Sequence, residues 1–101
     1  MVVNHVVIMT LREALTDSDA TALISNAHNM ASKISCISSF ECGLDLGITG
    51  VQGGKFSIVA KFMCVDDYKA YTSHPAHMQF VAEVIKPRLA ENGRHAIQFE
   101  V

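Results

Sequence analysis

The sequence predicts an α+β domain in which helices cover one face of a four-stranded antiparallel sheet. Two observations support this fold class. In four segments, apolar residues either alternate with the two-residue period of a strand or occupy both faces of it. In other segments, apolar residues recur at helical spacing. Their order is strand, helix, strand, strand, helices, strand, which is the ferredoxin-like arrangement. A chain of 101 residues suffices for one domain, so we assign residues 1–101 to a single unit.

The first predicted strand, Val2–Leu11, is apolar on both faces. One parity reads Val3, His5, Val7, Met9 and Leu11, and the other reads Val2, Asn4, Val6, Ile8 and Thr10. His5 is the polar exception on its own face. Because both faces are largely apolar, we expect both to be covered.

The first helix is predicted to start at Thr16, which forms a capping-box pattern with Asp19 three residues later. Negative charges near this end also suit the helix dipole. The expected buried stripe comprises Ala20, Leu23, Ile24, Ala27, Met30, Ala31 and Ile34. His28 lies at the edge of the stripe and is expected on the surface.

Two further strands are predicted at Cys36–Leu46 and Phe56–Val65. Between them runs "GITGVQGG", which has four glycines in eight residues and is typical of a flexible hairpin loop. The third strand is again apolar on both faces, as expected for a covered sheet.

The second half of the chain predicts two helices and a last strand. Asp66 or Asp67 can cap a short helix, and Pro75 favours the first turn of another helix that ends or bends near Pro87. Phe80 and its helical neighbours His77, Val81, Val84 and Ile85 share one side of the second of these helices. The motif "ENG" is expected to form a turn before the strand His95–Val101.

Composition and charge limit the partners. Half of the residues are apolar and 18% are charged, so both sheet faces are difficult to cover within one small monomer. We therefore expect a homodimer with a large apolar interface. The net charge of −2 and the absence of a basic cluster argue against binding to nucleic acid or a membrane.

The cysteines and the N-terminal segment indicate in which cellular compartment the protein is expected. Cys36, Cys42 and Cys64 form no close C-x-x-C pair, so we expect reduced, mostly buried thiols in the cytoplasm. The segment Met1–Arg12 lacks the basic start and apolar core of a signal peptide.

The segment "YKAYTSHPAHMQF" concentrates groups that can move protons. An interruption of the helix at His74–Pro75 would let the side chains of Tyr71 and His77 come into contact, although the two residues are six apart in sequence. The positive end of a helix dipole would keep His77 neutral, and a neutral histidine is a competent general base. Tyr71 could donate a hydrogen bond to an enolate oxygen.

The chain resembles the stress-responsive dimeric α/β-barrel (Dabb) family. The resemblance rests on "NHVVIMTLR", on the run from "FSIVAKF" through "HPAHMQF" to "VIKP", on "AIQFEV", and most specifically on "YxxHPxH". Plant polyketide cyclases of this family close a polyketide by an aldol condensation. The resemblance implies a catalytic set of His77, Tyr71 and His5, in which His5 lines the cavity and positions the substrate. Glu100 or Gln98 stands near the place of an aspartate on the last strand.

The resemblance also implies the activity and the pocket. We expect a carbonyl-containing, polyketide-like ligand, a cyclase or lyase reaction and no cofactor. Around the catalytic set, the pocket is expected to be supported by His74, Tyr68, Phe80 and Glu100.

Two other interpretations remain open. In the first, the protein is a non-catalytic barrel, in which His74 caps a helix and Tyr68 packs on Tyr71. In the second, which is weaker, His74 and His77 are metal ligands with His5 or a carboxylate as the third. Pro75 argues against the metal, because it places the two histidines on different sides of an interruption of the helix.

An enclosed pocket that reaches Tyr71 and His77 would favour the enzyme, and side chains filling that space would favour the non-catalytic barrel.

Overall fold

The computed structural model describes residues 1–50 and 54–101, which form one four-stranded antiparallel sheet with helices on one face. The elements are β1 (Val3–Leu11), α1 (Asp17–Ser32), β2 (Ser39–Leu44), β3 (Lys55–Phe62), α2 (Val65–Ser73), α3 (Pro75–Phe80), a π-helical turn (Val81–Ile85) and β4 (Leu89–Glu100). The strand order is β2-β3-β1-β4, which confirms the ferredoxin-like prediction. In the part of the chain that the structure describes, no helix combines the length and hydrophobicity needed to cross a membrane.

The helix-covered face of the sheet holds the core. One parity of β1 is buried on this face, and β3 adds Phe56, Ile58, Ala60 and Phe62; the β1 residues are Val3, His5, Val7, Met9 and Leu11. Helix α1 packs on this face through Leu23, Ala27 and Met30, which confirms its predicted stripe. The Thr16 hydroxyl accepts a hydrogen bond from the Asp19 amide at 3.1 Å, so the helix begins at the predicted cap.

The opposite face of the sheet is open and apolar at its centre. Ile8, Val59, Ile97 and Phe99 are between 37% and 61% exposed there. The register explains this face, because Val6 of β1 lies between Val59 of β3 and Ile97 of β4. We call Val6, Ile8, Val59, Ile97 and Phe99 the open apolar face.

Strands β2 and β3 are shorter than the predicted Cys36–Leu46 and Phe56–Val65. The residues before β2 complete a turn after α1, with the Ile37 amide bonded to the Ile34 carbonyl. After β3, the chain turns at Met63 directly into α2. The predicted "GITGVQGG" loop lies partly outside the described residues, since 51–53 belong to it.

Helix α2 begins earlier than predicted. Cys64 occupies the position before its first residue, and Asp66 and Asp67 lie in its first turn rather than at the cap. They still suit the positive end of the helix dipole, because negative charge is favourable in that turn.

The "ENG" motif is a bulge rather than a turn. Strand β4 already begins at Leu89, which pairs with Leu11, and the register then shifts between Met9 and Leu11. Asn92 has a φ of 56°, the left-handed conformation that asparagine tolerates better than most residues. The strand therefore continues through the motif: between the pairs Leu11–Leu89 and Met9–Arg94, β1 spans two residue steps and β4 spans five, so the bulge holds three extra residues of β4.

The three cysteines are free, but only two are shielded. Cys36 and Cys42 are half-buried, and Cys64 is exposed, so the prediction that all three are mostly buried was wrong for Cys64. The cause is the early end of β3, which places Cys64 in a surface connection instead of a strand.

The two ends of the described chain lie side by side in the sheet. The Val2 amide donates to the Val101 carbonyl at 3.2 Å, and the Val101 amide donates to the Val2 carbonyl at 2.9 Å. These bonds extend the central pairing of β1 with β4.

Candidate active site

A break between α2 and α3 brings Tyr71 and His77 together. His74 has extended backbone geometry, and its Nδ1 accepts a hydrogen bond from the Ala76 amide at 3.0 Å. Pro75 then takes the first helical position, where its missing N–H costs nothing. As a result, the rings of Tyr71 and His77 lie with their centroids 4.4 Å apart.

The backbone orients the imidazole of His77. Its Nδ1 lies 3.1 Å from the Thr72 carbonyl oxygen, which can only accept, so Nδ1 carries the proton and Nε2 keeps its lone pair. Burial lowers the pKa of His77, the Thr72 bond raises it, and the charge of Arg94 lowers it further. The ring is therefore neutral near pH 7, with desolvation as the largest cause.

His5 projects from the centre of the sheet towards the same place. Its side chain is only 3% exposed, and its Nδ1 lies 2.9 Å from the side-chain nitrogen of Gln98 on β4. Desolvation, followed by the charges of Arg94 and His77, lowers the pKa of His5 to about 4. His5 is thus a neutral group in the core.

Tyr71 is a buried phenol that stays protonated. It is 2% exposed, and desolvation with the neighbouring Tyr68 raises its pKa to about 12, although Arg94 acts in the opposite direction. Within residues 1–50 and 54–101 no polar side-chain atom is both buried and unpaired. The Tyr71 hydroxyl forms no hydrogen bond with these residues, so it must reach accessible space, where it can donate to a ligand.

An aromatic cluster supports the site from one side. The ring of Tyr68 lies 4.9 Å from His5 and 5.6 Å from Phe62, and Phe62 lies 5.2 Å from Tyr71. Separations of this size are typical of packed aromatic rings. The cluster fixes the orientation of His5 and Tyr71.

A cavity of about 120 Å³ lies between the sheet and the helices, where these side chains converge. It is lined by His5, Val7, Met9, Ile58, Tyr71, His77, Phe80, Val81, Ile85, Lys86, Leu89 and Arg94. Most of this lining is apolar, with a few polar groups at fixed points, as is usual for small-molecule sites. The structure thus brings the three predicted catalytic residues and Phe80 to one cavity.

The stress responsive A/B barrel domain (Dabb) family model matches residues 3–101. The chain is a Dabb domain. A stress-response A/B barrel domain-containing protein of Arabidopsis thaliana is 31% identical over 81 residues, which cover 78% of this chain and 70% of that protein.

Two solved structures share the fold of this Dabb domain. A dimeric ferredoxin-like protein from Thermobifida fusca has a TM-score of 0.84 and 27% identity, covering 100% of this chain and 92% of the other. The hydroxynitrile lyase of Passiflora edulis has a TM-score of 0.79 and 17% identity, covering 99% and 93%. At that identity, the second comparison shows the fold alone.

Three predicted supporting residues of the Dabb domain lie outside the cavity lining. Glu100 pairs with Val3 and is exposed, whereas Gln98, the other candidate on this strand, contacts His5. His74 caps α3, and Tyr68 packs behind His5.

The histidines of the Dabb domain are not arranged as a metal site. The Nδ1 atoms of His74 and His77 are both engaged with backbone groups. Across residues 1–50 and 54–101, no three His, Cys, Asp or Glu side chains cluster closely enough to hold a metal ion.

Sequence reasoning missed the charged cavity residues Arg94 and Lys86. Arg94 received no role because it lies between the predicted "ENG" turn and the predicted strand start at His95. It shares the helix-facing parity of Ala96 and Gln98, so an earlier strand start would have identified it.

Proposed function

We propose that this Dabb domain forms a homodimer in which each protomer binds a small carbonyl compound and moves a proton next to the carbonyl group. His77 acts as the general base, Tyr71 donates a hydrogen bond to the developing oxyanion, and His5 positions the substrate. The observation that carries this proposal is the cavity, which His77, Tyr71 and His5 all line.

The reaction starts with the lone pair on Nε2 of His77. This nitrogen takes the proton from the carbon beside the substrate carbonyl, and the electron pair of that C–H bond moves to the carbonyl oxygen as an enolate. Tyr71 stabilises the enolate through its O–H, because a phenol with a pKa of about 12 donates without ionising near pH 7. In proton exchange alone, the imidazolium of His77 returns its proton to this carbon, whereas in a ring closure it keeps the proton for the product.

An aldol-type closure follows from the same groups. The enolate carbon can form a bond with a second carbonyl of the same molecule, and the alkoxide produced takes the proton from His77. Atoms and charges balance without an added redox group. The reaction class is therefore that of a cyclase or lyase, and ring closure of a polyketide-like chain is one member of it.

The cavity volume favours a short substrate. Sites for drug-sized ligands are typically about 300–1,000 Å³, and this cavity is about 120 Å³. A long polyketide would extend out through the mouth of the cavity, whereas a carbonyl compound of a few carbons fits inside. We therefore infer that the reacting end of the substrate is small.

The open apolar face supports the homodimer. Val59, Ile97 and their neighbours leave an apolar strip at the centre of the sheet, and a second copy covers it by sheet-to-sheet packing. The Thermobifida fusca protein, which is 27% identical, is described as dimeric and ferredoxin-like.

A second candidate function is small-molecule binding without catalysis in a stress response. The capping role of His74 supports a structural role for part of the "YxxHPxH" motif, and Tyr68, three residues before the motif, packs against His5. Under this alternative, the cavity holds a ligand whose carbon-bound protons do not exchange.

Proton exchange in D₂O separates the two functions. The protein is incubated with short ketones and β-diketones, and NMR follows the loss of the proton beside the carbonyl. His77→Ala should slow exchange by about a hundredfold to ten-thousandfold, which is the usual contribution of a general base. Tyr71→Phe should also slow it, with little change in stability.

His74→Ala is the matched control in the same motif. It should keep the exchange rate and lose about 1 kcal/mol of stability, because it removes only a helix cap. A folded His77→Ala dimer that exchanges at the wild-type rate would show that the assignment is wrong. Ligand binding without exchange would favour the non-catalytic function.

A further inference from the structure

We propose that Arg94 and Lys86 bind a carboxylate group of the ligand, so that the substrate class of the cavity is short keto acids. This inference rests on the proposed carbonyl chemistry and extends it to a second group on the same substrate. It starts from the two cavity residues that the catalytic mechanism does not use.

The charges around the cavity are unbalanced. Among residues 1–50 and 54–101, the cationic side chains that line it are Arg94 and Lys86, and no Asp or Glu of these residues lines it. The remaining surface is supplied by neutral His5, Tyr71, His77 and apolar side chains. A cavity with cations and no carboxylate of its own selects an anionic ligand.

Arg94 lies close enough to act on the catalytic groups. It belongs to β4, where it pairs with Met9 and faces the helices, and its charge affects the pKa values of His5, Tyr71 and His77. Arg94 also lines the cavity, so this cationic residue and the reactive groups belong to one site.

The chemistry of the guanidinium favours a carboxylate. Its planar fork donates two parallel hydrogen bonds to the two oxygens of a carboxylate, and a nearby ammonium such as Lys86 adds a point charge.

The small volume of the cavity, about 120 Å³, limits the length of the ligand. Because Arg94, Lys86 and Tyr71 all line this one cavity, a ligand that reaches the cations and the Tyr71 hydroxyl is a ketone joined to a carboxylate by a few carbons.

Binding of a matched ligand pair tests this inference. The probes are levulinate, which has a ketone and a carboxylate, and levulinamide, its neutral amide of nearly the same shape. Their affinities for the homodimer are measured by NMR titration. Wild-type protein should prefer levulinate by about tenfold or more, as expected for a charge-assisted bidentate contact.

Three variants locate the contact. Arg94→Gln should remove the preference for levulinate while leaving levulinamide binding unchanged, and Lys86→Gln should reduce the preference. Arg88→Gln is the control, because this arginine lies outside the cavity lining and should leave both affinities unchanged.

Equal binding of the two probes by the wild-type protein would overturn the inference, as would failure of both to bind. A preference for levulinate that Arg94→Gln retains would also overturn it. These binding results do not depend on turnover. A carboxylate preference that depends on Arg94 therefore supports the inference even if His77→Ala leaves proton exchange unchanged.

Discussion

Gln98 donates a hydrogen bond from its side-chain nitrogen to Nδ1 of His5, across the pairing of β4 with β1, at 2.9 Å. This contact places the His5 proton on Nε2 and leaves Nδ1 as an acceptor. Protonation of Nδ1 would replace the contact with a clash of two donors. The bond therefore works with burial to keep His5 neutral.

The neutrality of His5 predicts acid sensitivity. Its folded-state pKa is about 4, against 6.5 for the ordinary group. Between these values the unfolded chain binds a proton that the folded chain does not, so stability falls as pH falls through this window. Above the window, His5 is neutral in both states and contributes no pH dependence. From about pH 7 to about pH 5, the free energy of unfolding should drop by on the order of 2 kcal/mol through His5.

Urea unfolding at the two pH values checks this. His5→Gln should show a smaller drop than the wild type, although His77, whose pKa is also lowered, keeps part of the effect. His28→Gln is the control and should lose as much stability on acidification as the wild type, because His28 is exposed. If the free energy of unfolding of His5→Gln fell as much as that of the wild type between pH 7 and pH 5, His5 would not be the source of the acid sensitivity.

Gly93 predicts a second stability effect. A Cβ at this position would lie 2.6 Å from the Thr10 carbonyl oxygen and 2.8 Å from the Ala90 carbonyl oxygen. Both atoms belong to the backbone of the bulge and cannot rotate away. Gly93→Ala should therefore destabilise the fold by about 1–3 kcal/mol, as overpacking does. Gly43→Ala, with no heavy atom within 4 Å of the added Cβ, should change the denaturation midpoint little. Equal midpoints for the two variants would refute this.

Filling the cavity should abolish its function without unfolding the domain. Val81 is a half-buried lining residue, so Val81→Phe places a ring into a space of about 120 Å³. Levulinamide binding and proton exchange should both be lost in NMR experiments. The neighbouring Ala82 is exposed, and Ala82→Phe should keep both. A folded Val81→Phe protein with wild-type exchange would place the reaction elsewhere.

The open apolar face predicts the assembly. Light scattering of the wild type should give twice the 11.0 kDa mass of one chain. Ile97→Lys places a charge in the middle of this face and should give the monomer mass. Met78 is also exposed but lies on α3, away from the sheet, so Met78→Lys should remain dimeric. A wild-type mass of one chain would reject the homodimer.

The sequence predicted the parts of the fold that depend on local patterns. The alternation in β1, the Thr16 cap and the Pro75 break each follow from interactions within a few residues, and the structure has all three. The cavity lining at Tyr71 and His77 could be anticipated because the break dictates how neighbouring helices meet.

The errors concern features that depend on contacts distant in sequence. The "ENG" motif favours a turn locally, but pairing with β1 carries the strand through it as a bulge around Asn92. Because the last strand was predicted to begin only at His95, Arg94 was not recognised as a cavity residue. Its position at the cavity follows from its pairing with Met9. The exposure of Cys64 likewise depends on where β3 stops, which local hydrophobicity does not set.

The adjacency of Val2 and Val101 has a consequence for how fast the chain folds. The pairing of β1 with β4 joins residues as far apart as His5 and Gln98, separated by 93 positions. Such distant contacts slow folding, because a long loop must close before they form.

Joining the neighbouring ends by a short linker and reopening the chain at the exposed Ser35 would make β4 and β1 consecutive, while β2 and β3 stay consecutive. This circular permutant should refold faster than the original chain in stopped-flow measurements, and an equal or slower rate would show that the central pairing does not limit folding.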